Sequence, residues 1–412
     1  MRKLSFLLAA ALLIGTMILY ARQHSRNSDS DLKAAGEETI QTAATGAKGA
    51  TDAHSQERPH IQVVFALDAT GSMSGLIKTA KEKIWSIAGS LSQTDNAPKI
   101  EIGLLFYRDK GDAFVTKMVK MQEDLDVVYE KLMDIQADGG GDEPESVNLA
   151  LSEAINNFGW SQDRNTYKTV FLVGDCPPHM DYREVQYPAT CIRANEKDIT
   201  INTILMGNNS TAERIWKSIA AKTNGSFTKA GMDVNDIAVN TPYDQQISAL
   251  SDELDELRYT YGNREERVRY EEKKMASRKI ASGSAVSTKA QRAEYNASAS
   301  GKSGYSGAKE LLNDVAESKV NPAVLKPEEL PEEFKNLKGK ELETTIRKKI
   351  ERRNELNKQL STLTRERQEY IDADLKKRNE SEVKNSFNYQ VYDKVKGQAA
   401  KKNIILKEKA KF

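Results

Sequence analysis

Histidine, cysteine and net charge are all scarce in this chain of 412 residues, and each scarcity excludes something. Lys and Arg number 61 against 60 Asp and Glu, a net charge of +1 that argues against nucleic-acid binding as the main business. Of the four histidines only His179 lies beyond residue 60, which leaves histidine-based catalysis a single candidate. The two cysteines, Cys176 and Cys191, allow one disulfide in an oxidising compartment, which would pin the loop between them. Neither lies near the N-terminus, so no lipid-attached cysteine follows the first apolar run. There is no G-x-x-x-x-G-K-[ST] phosphate loop, and any nucleotide chemistry would be a partner's. Hydrophobic residues make up only 39%, low for a wholly globular chain of this length, and imply an extended or poorly packed part.

The one long uncharged run is Leu4 to Tyr20, flanked by Arg2 and Lys3 before it and by Arg22 and Arg26 after it. It reads as an export signal at the border between a signal-peptide core and a short span, so residues 1–24 are expected as a signal peptide or a retained membrane anchor. Residues 25–57 hold Ser, Thr, Ala, Gly, Asn and Gln with scattered charge, the composition of a disordered tether. A periplasmic or cell-envelope location follows as the expectation.

The stretch Ile61 to Leu67 has no polar alternation after Gln62, so it predicts a strand buried on both faces, as in a parallel sheet. It stops at Asp68, gives Thr70, Gly71 and Ser72, and passes into a helical pattern through Ile77, Ile84, Ile87 and Leu91. Strands are predicted at 100–107, at 113–121 as an antiparallel edge, at 169–173, at 199–206 and at 226–229, with helices between them. Two other loops carry acids: Asp138-Gly139-Gly140-Gly141-Asp142-Glu143-Pro144-Glu145, and Gly174-Asp175-Cys176-Pro177-Pro178-His179 after another apolar strand. Oxygen-only groups of this kind suit a hard cation. Singly, each also reads as a helix cap or turn former.

In combination these loops resemble the metal-ion-dependent adhesion site of von Willebrand factor type A domains. Asp68, Thr70 and Ser72 stand in D-x-T-x-S spacing against the family's D-x-S-x-S; Thr70 departs in residue type but keeps the hydroxyl. Asp142 falls where many such domains carry a Thr ligand. The tetrad Asp142-Glu143-Pro144-Glu145 is similar to the D-x-P-E of the A-like domains in integrin β-subunits, so Asp142 or Glu145 completes the set. Asp175 matches the last acidic position. The resemblance implies a Rossmann-like, doubly wound α/β domain over residues 58–240 with a mostly parallel six-stranded sheet. It also implies a divalent cation, Mg²⁺ with Mn²⁺ or Ca²⁺ as alternatives, and a protein partner offering a carboxylate.

A rival enzyme reading exists, because Gly71-Ser72-Met73-Ser74-Gly75 satisfies G-x-S-x-G between a strand and a helix. Ser74 would be the nucleophile, Asp175 the acid and His179 the base. It leaves Asp68, Thr70 and Asp142 unexplained and crowds acid and base into one loop, so a non-enzymatic module is the expectation. His179 is expected to stiffen the rim of the site.

Residues 241–412 turn to Glu, Lys, Arg, Gln and Ala. A helix carrying Leu250, Leu254 and Leu257 leaves the domain, and a Ser/Gly-rich linker is expected near 297–307. Pro322, Pro327 and Pro331 each open a helical turn. A long charged helix runs from Lys340 to about Lys384, its apolar seam interrupted at Arg353 and Arg367, which favours a helical hairpin or stalk over a regular coiled coil. This half is similar to the tail of some exported bacterial A-domain proteins, and a scaffold acting through it is the alternative function.

Overall fold

The computed structural model describes residues 58–141, 143–230, 237, 239–407 and 409–412. The expectations for residues 1–57 and for Asp142 lie outside the described residues.

Six strands form one sheet: β1 (His60–Asp68), β2 (Lys99–Tyr107), β3 (Thr116–Gln122), β4 (Tyr167–Gly174), β5 (Thr200–Met206) and β6 (Phe227–Ala230), in the order β3-β2-β1-β4-β5-β6. Only β3 runs antiparallel, against β2. β1 lies between β2 and β4, with Asp68 opposite Tyr107 and Leu67 opposite Val173. The unbroken apolar run of β1 is explained by two cores. Ile61, Val63, Phe65 and Leu67 enter one layer, while Val64 and Ala66 enter the other. Phe65 stacks on Phe171 of β4 with ring centroids 5.4 Å apart.

Helices α1 (Ser74–Leu91) and α2 (Leu125–Met133) cover the first face; α3 (Val147–Asn156), α4 (Tyr187–Glu196) and α5 (Ser210–Lys222) cover the second. The chain thus reverses direction across β1, and the carboxyl ends of β1, β2 and β4 meet at one edge. That crossover is where open α/β sheets place ligands.

The remaining chain is helical: α6 (Asp244–Glu256), α7 (Arg264–Gly283), α8 (Val286–Ala297), α9 (Gly301–Ser306), α10 (Leu311–Ala316), α11 (Gly339–Leu375), α12 (Glu380–Asn385) and α13 (Phe387–Ala399). Asn263 starts α7 with a capping box, accepting from the Glu266 amide at 3.0 Å while its own amide donates to Glu266 at 2.8 Å. These helices do not stand off as a hairpin or stalk. Ile280, Tyr295, Ile371, Phe387, Val391, Val395 and Phe412 join the same apolar core as α1, and Asn388 Nδ2 donates to Ser86 Oγ at 2.7 Å. A third core, with Leu254, Leu311, Phe334, Leu356 and Leu360, belongs to the extension alone.

Three expectations are corrected here. The stretch 297–307 is no linker: it contains α9, and a Cβ on Gly304 would collide with the Glu123 carbonyl, so this glycine serves close packing, not flexibility. The arginines that break the seam of α11 are its polar contacts. Arg367, 1% exposed, donates to Asp244 at 2.8 Å, and Arg353 donates to Glu310 at 2.9 Å. Low hydrophobicity in this half therefore reflects polar packing within the fold. The disulfide does not form: Cys176 and Cys191 are both buried free thiols. Burial pushes the Cys191 thiol up to about 11, which disfavours the reactive thiolate.

Candidate functional site

At the carboxyl edge of β1 the chain leaves the sheet through Asp68 and turns at once. The Asp68 carboxylate reads its own turn: Oδ1 accepts from the Thr70 amide at 2.9 Å and from Thr70 Oγ1 at 2.6 Å. Thr70 Oγ1 lies 3.3 Å from Ser72 Oγ, so the D-x-T-x-S spacing does bring one carboxylate and two hydroxyls into a common space. A 3-10 turn, Gly71–Met73, then leads into α1.

The glycine-rich loop is laid against this turn by backbone bonds. The Asp138 amide donates to Ala69 O at 3.0 Å and the Gly71 amide to Gly139 O at 3.1 Å. Gly140 has φ of +82°, and a Cβ there would stand 3.1 Å from Thr70 Cβ and 3.5 Å from Glu145 Oε1. Both conformation and space thus require glycine. Glu145 stands before α3, which begins at Val147. The Glu145 amide donates to Pro177 O at 2.9 Å, and its carbonyl accepts from the His179 amide at 3.1 Å. This bridge fastens the acidic loop to the loop of Asp175.

The electrostatics follow from burial. Asp68 is fully buried, and burial raises its carboxyl to about 7, opposed by the Thr70 hydrogen bonds and reinforced by Asp175. Burial raises Glu145 to about 9, with Asp68, Asp109, Asp112 and Asp175 adding repulsion. Asp68 Oδ2, Glu145 Oε2 and Asp175 Oδ1 are all buried without a hydrogen-bond partner. Three acids thus crowd one edge with oxygens left over. Among the described residues no three His, Cys, Asp or Glu side chains form a metal-holding group by themselves. The oxygens gathered at this edge include the Thr70 and Ser72 hydroxyls as well.

Asp68, Thr70, Ser72, Glu145 and Asp175 therefore lie on three loops tied to one another. The sequence reading missed the loop after β2. Arg108 Nε donates to Ala69 O at 3.0 Å and its Nη2 to Gln136 O at 2.7 Å, clamping the two loops together. Asp109 accepts from Ser146 Oγ and from the Tyr182 hydroxyl, each at 2.8 Å. Asp112 accepts from the Gly140 amide at 3.2 Å. The signal was present: the apolar run of β2 ends at Tyr107, and an acid, Asp109, follows two residues on.

His179 is buried and stacked on Tyr182, with ring centroids 3.8 Å apart. Its Nδ1 meets Asp181 Oδ1 at 2.9 Å, and its Nε2 faces Asp109 Oδ2 at 3.3 Å without hydrogen-bond geometry. Ser74 is exposed, and among the described residues no hydrogen bond joins it to His179. Nor does a hydrogen bond join Asp175 to His179 among the described residues.

Sheet order, crossover and loop constellation define a doubly wound α/β domain with an acidic carboxyl edge. Residues 62–230 match the family described as von Willebrand factor A domain, so this part of the chain is such a domain. A protein of Acanthamoeba polyphaga mimivirus, described as an ariadne-like RING finger protein, is 29% identical over 119 residues, covering 29% of this chain and 11% of that protein. Among solved structures, proximal thread matrix protein 1 from the mussel byssus is similar at 14% identity and a TM-score of 0.34, covering 43% of each chain. The chain thus spans a small part of the first relative and under half of the second. A domain of this family is in general a module for protein interaction or adhesion. No helix among the described residues is long and apolar enough to cross a membrane.

Proposed function

We propose that this domain binds a partner protein through a divalent cation held at the carboxyl edge of β1 and β4. Asp68, Thr70, Ser72 and Asp175 would hold the cation with Glu145 or Asp142, and Mg²⁺ suits the all-oxygen donor set, with Mn²⁺ or Ca²⁺ as alternatives. The observation that carries this reading is the trio of buried carboxylate oxygens with no partner, on Asp68, Glu145 and Asp175. Buried acids left unpaired are costly, and a cation relieves all of them together. When bound, the cation offers a coordination position to a partner's carboxylate. The chain's own part is to fix the donors, through Thr70 on Asp68 and the Glu145–Pro177 bridge.

The module works without a catalytic step and outside the cytoplasm, in the periplasm or cell envelope, in keeping with the basic-flanked apolar run at residues 4–20. Labelling of Ser74 by diisopropyl fluorophosphate would argue for the hydrolase instead. The deciding experiment is a pull-down from the native envelope with residues 56–412, run in Mg²⁺, in EDTA and with Asp175→Ala. Capture only in Mg²⁺ with Asp175 intact supports the reading. Capture in all three moves the interaction to the helical extension.

A further inference from the structure

The extension holds a half-open cavity of about 760 Å³, remote in sequence from the three loops, between α6, α8, α9, α10 and α11. Its volume lies within the usual range for small-molecule sites. One wall is a single face of α11, where Ile350, Asn354, Asn357, Leu360 and Ser361 recur at helical spacing. The opposite wall is Ser251 and Leu254 of α6 with Ala293, Asn296 and Ala297 of α8.

Three features of the lining specify what it would take. First, it carries polar groups that the fold leaves unused. Arg258, 2% exposed, donates to Tyr305 O at 3.2 Å and to Ser277 Oγ at 2.6 Å, yet its Nε has no partner; Asn296, 8% exposed, has its Nδ2 unpartnered. Buried donors without acceptors are costly and uncommon, and both line the cavity. Second, basic side chains outnumber acidic ones. Glu294 is neutralised by Lys411 and Arg367 and Glu317 by Lys319, while the side chains of Lys302 and Arg365, both exposed, make no ion pair or hydrogen bond among the described residues. Third, the polar lining is mostly carboxamide and hydroxyl, which donate and accept side by side, as neighbouring sugar hydroxyls require. Apolar Leu254, Ile350 and Leu360 lie among them and suit the C–H face of a sugar ring. A nucleobase would find little to stack on: the aromatic side chain here, Tyr305, is already under the Arg258 guanidinium at 4.3 Å and its hydroxyl is bonded to Asp255.

We propose that this cavity binds an anionic saccharide, its hydroxyls on Asn296, Asn354 and Asn357 and its acid group on Lys302 and Arg365. The acid group can be a carboxylate or a phosphate, since both basic side chains accept either. The site is independent of the sheet edge.

The test is calorimetric titration of residues 56–412 with trigalacturonate, glucose 6-phosphate, maltotriose, inorganic phosphate and triglutamate, each to about 10 mM, a range that captures millimolar affinity. Heat from trigalacturonate or glucose 6-phosphate, weakened about tenfold or more by the Lys302→Glu, Arg365→Glu double variant, supports the proposal. Both positions are exposed, so the variant keeps the fold, and far-ultraviolet circular dichroism checks it. Which of the two acids binds identifies the acid group. Binding should persist in EDTA and in Asp68→Ala, which separates this site from the metal reading. The proposal is overturned if neither anionic sugar binds, if the double variant binds as well, or if maltotriose, phosphate or triglutamate binds as tightly.

Discussion

Two clusters of buried acids in this protein have opposite electrostatics. At the sheet edge, Asp68 and Glu145 are buried beside Asp175, and each of the three keeps a carboxylate oxygen without a partner. Between the A domain and the extension, Asp126 on α2 is equally buried, yet both its oxygens accept from Arg292 of α8, each at 2.6 Å. Arg292 also holds Asp255, and Ser277 donates to Asp126 at 2.8 Å. Burial raises Asp68, whereas the Arg292 guanidinium overcomes burial and holds Asp126 well below the usual carboxylate range. A cluster closed upon itself joins two parts of the fold. A cluster with oxygens to spare leaves its charge uncompensated within the fold.

The sharpest way to break that comparison is Arg292→Met, which strands Asp126 and Asp255. It should destabilise the protein by about 3–5 kcal/mol in urea unfolding; a loss below about 1 kcal/mol would mean the cluster joins nothing. The pH dependence should separate the clusters next. Asp126, with its folded value depressed, contributes stability that is complete above the ordinary value near 4 and is lost as pH falls through and below it. Asp68, with its folded value raised, does the reverse in metal-free protein: its contribution is present below about 4 and is lost as pH rises through about 7. Denaturation in EDTA should show stability declining by a few kcal/mol between about pH 4 and 7 in wild type; Asp68→Asn removes the share of Asp68 and leaves the decline due to Glu145, whose raised value of about 9 carries it on to higher pH. A flat wild-type profile would refute the crowding of acids.

Added Mg²⁺ at a hundred times its dissociation constant should stabilise wild type by about 2.7 kcal/mol and leave Asp175→Ala unmoved, read from unfolding midpoints at pH 7. Gly140→Ala should cost about 1–2 kcal/mol, because a side chain is forced into left-handed backbone beside Thr70. The smallest effect belongs to Thr70→Ser, which keeps the hydroxyl and should shift stability by less than about 0.5 kcal/mol. Thr70→Val, by contrast, should weaken Mg²⁺ binding in the same assay, since it removes the 2.6 Å bond to Asp68.

Much of the A domain was legible before folding. The runs at Ile61 to Leu67 and Thr169 to Val173 could only be strands covered on both faces, and each ended in the acid that the structure places at the edge. The Arg108–Asp112 loop was not singled out. Its importance lies in what Arg108 and Asp109 touch, residues 28 to 73 positions away along the chain.

The extension was legible only as helices. Local pattern gave α6 and most of α11, because apolar spacing and capping act within a few residues. It read residues 297–307 as a linker and Arg367 as a break in a seam, since a buried arginine and a flexible one look alike until a distant acid is placed beside them. The sequence by itself determined the alternation of strand and helix, the acids at strand ends and the hydroxyls after Asp68. The tertiary structure alone decided which charges were paired and which were left open. Pairing is set by contacts between distant segments, and burial makes each unpaired charge count.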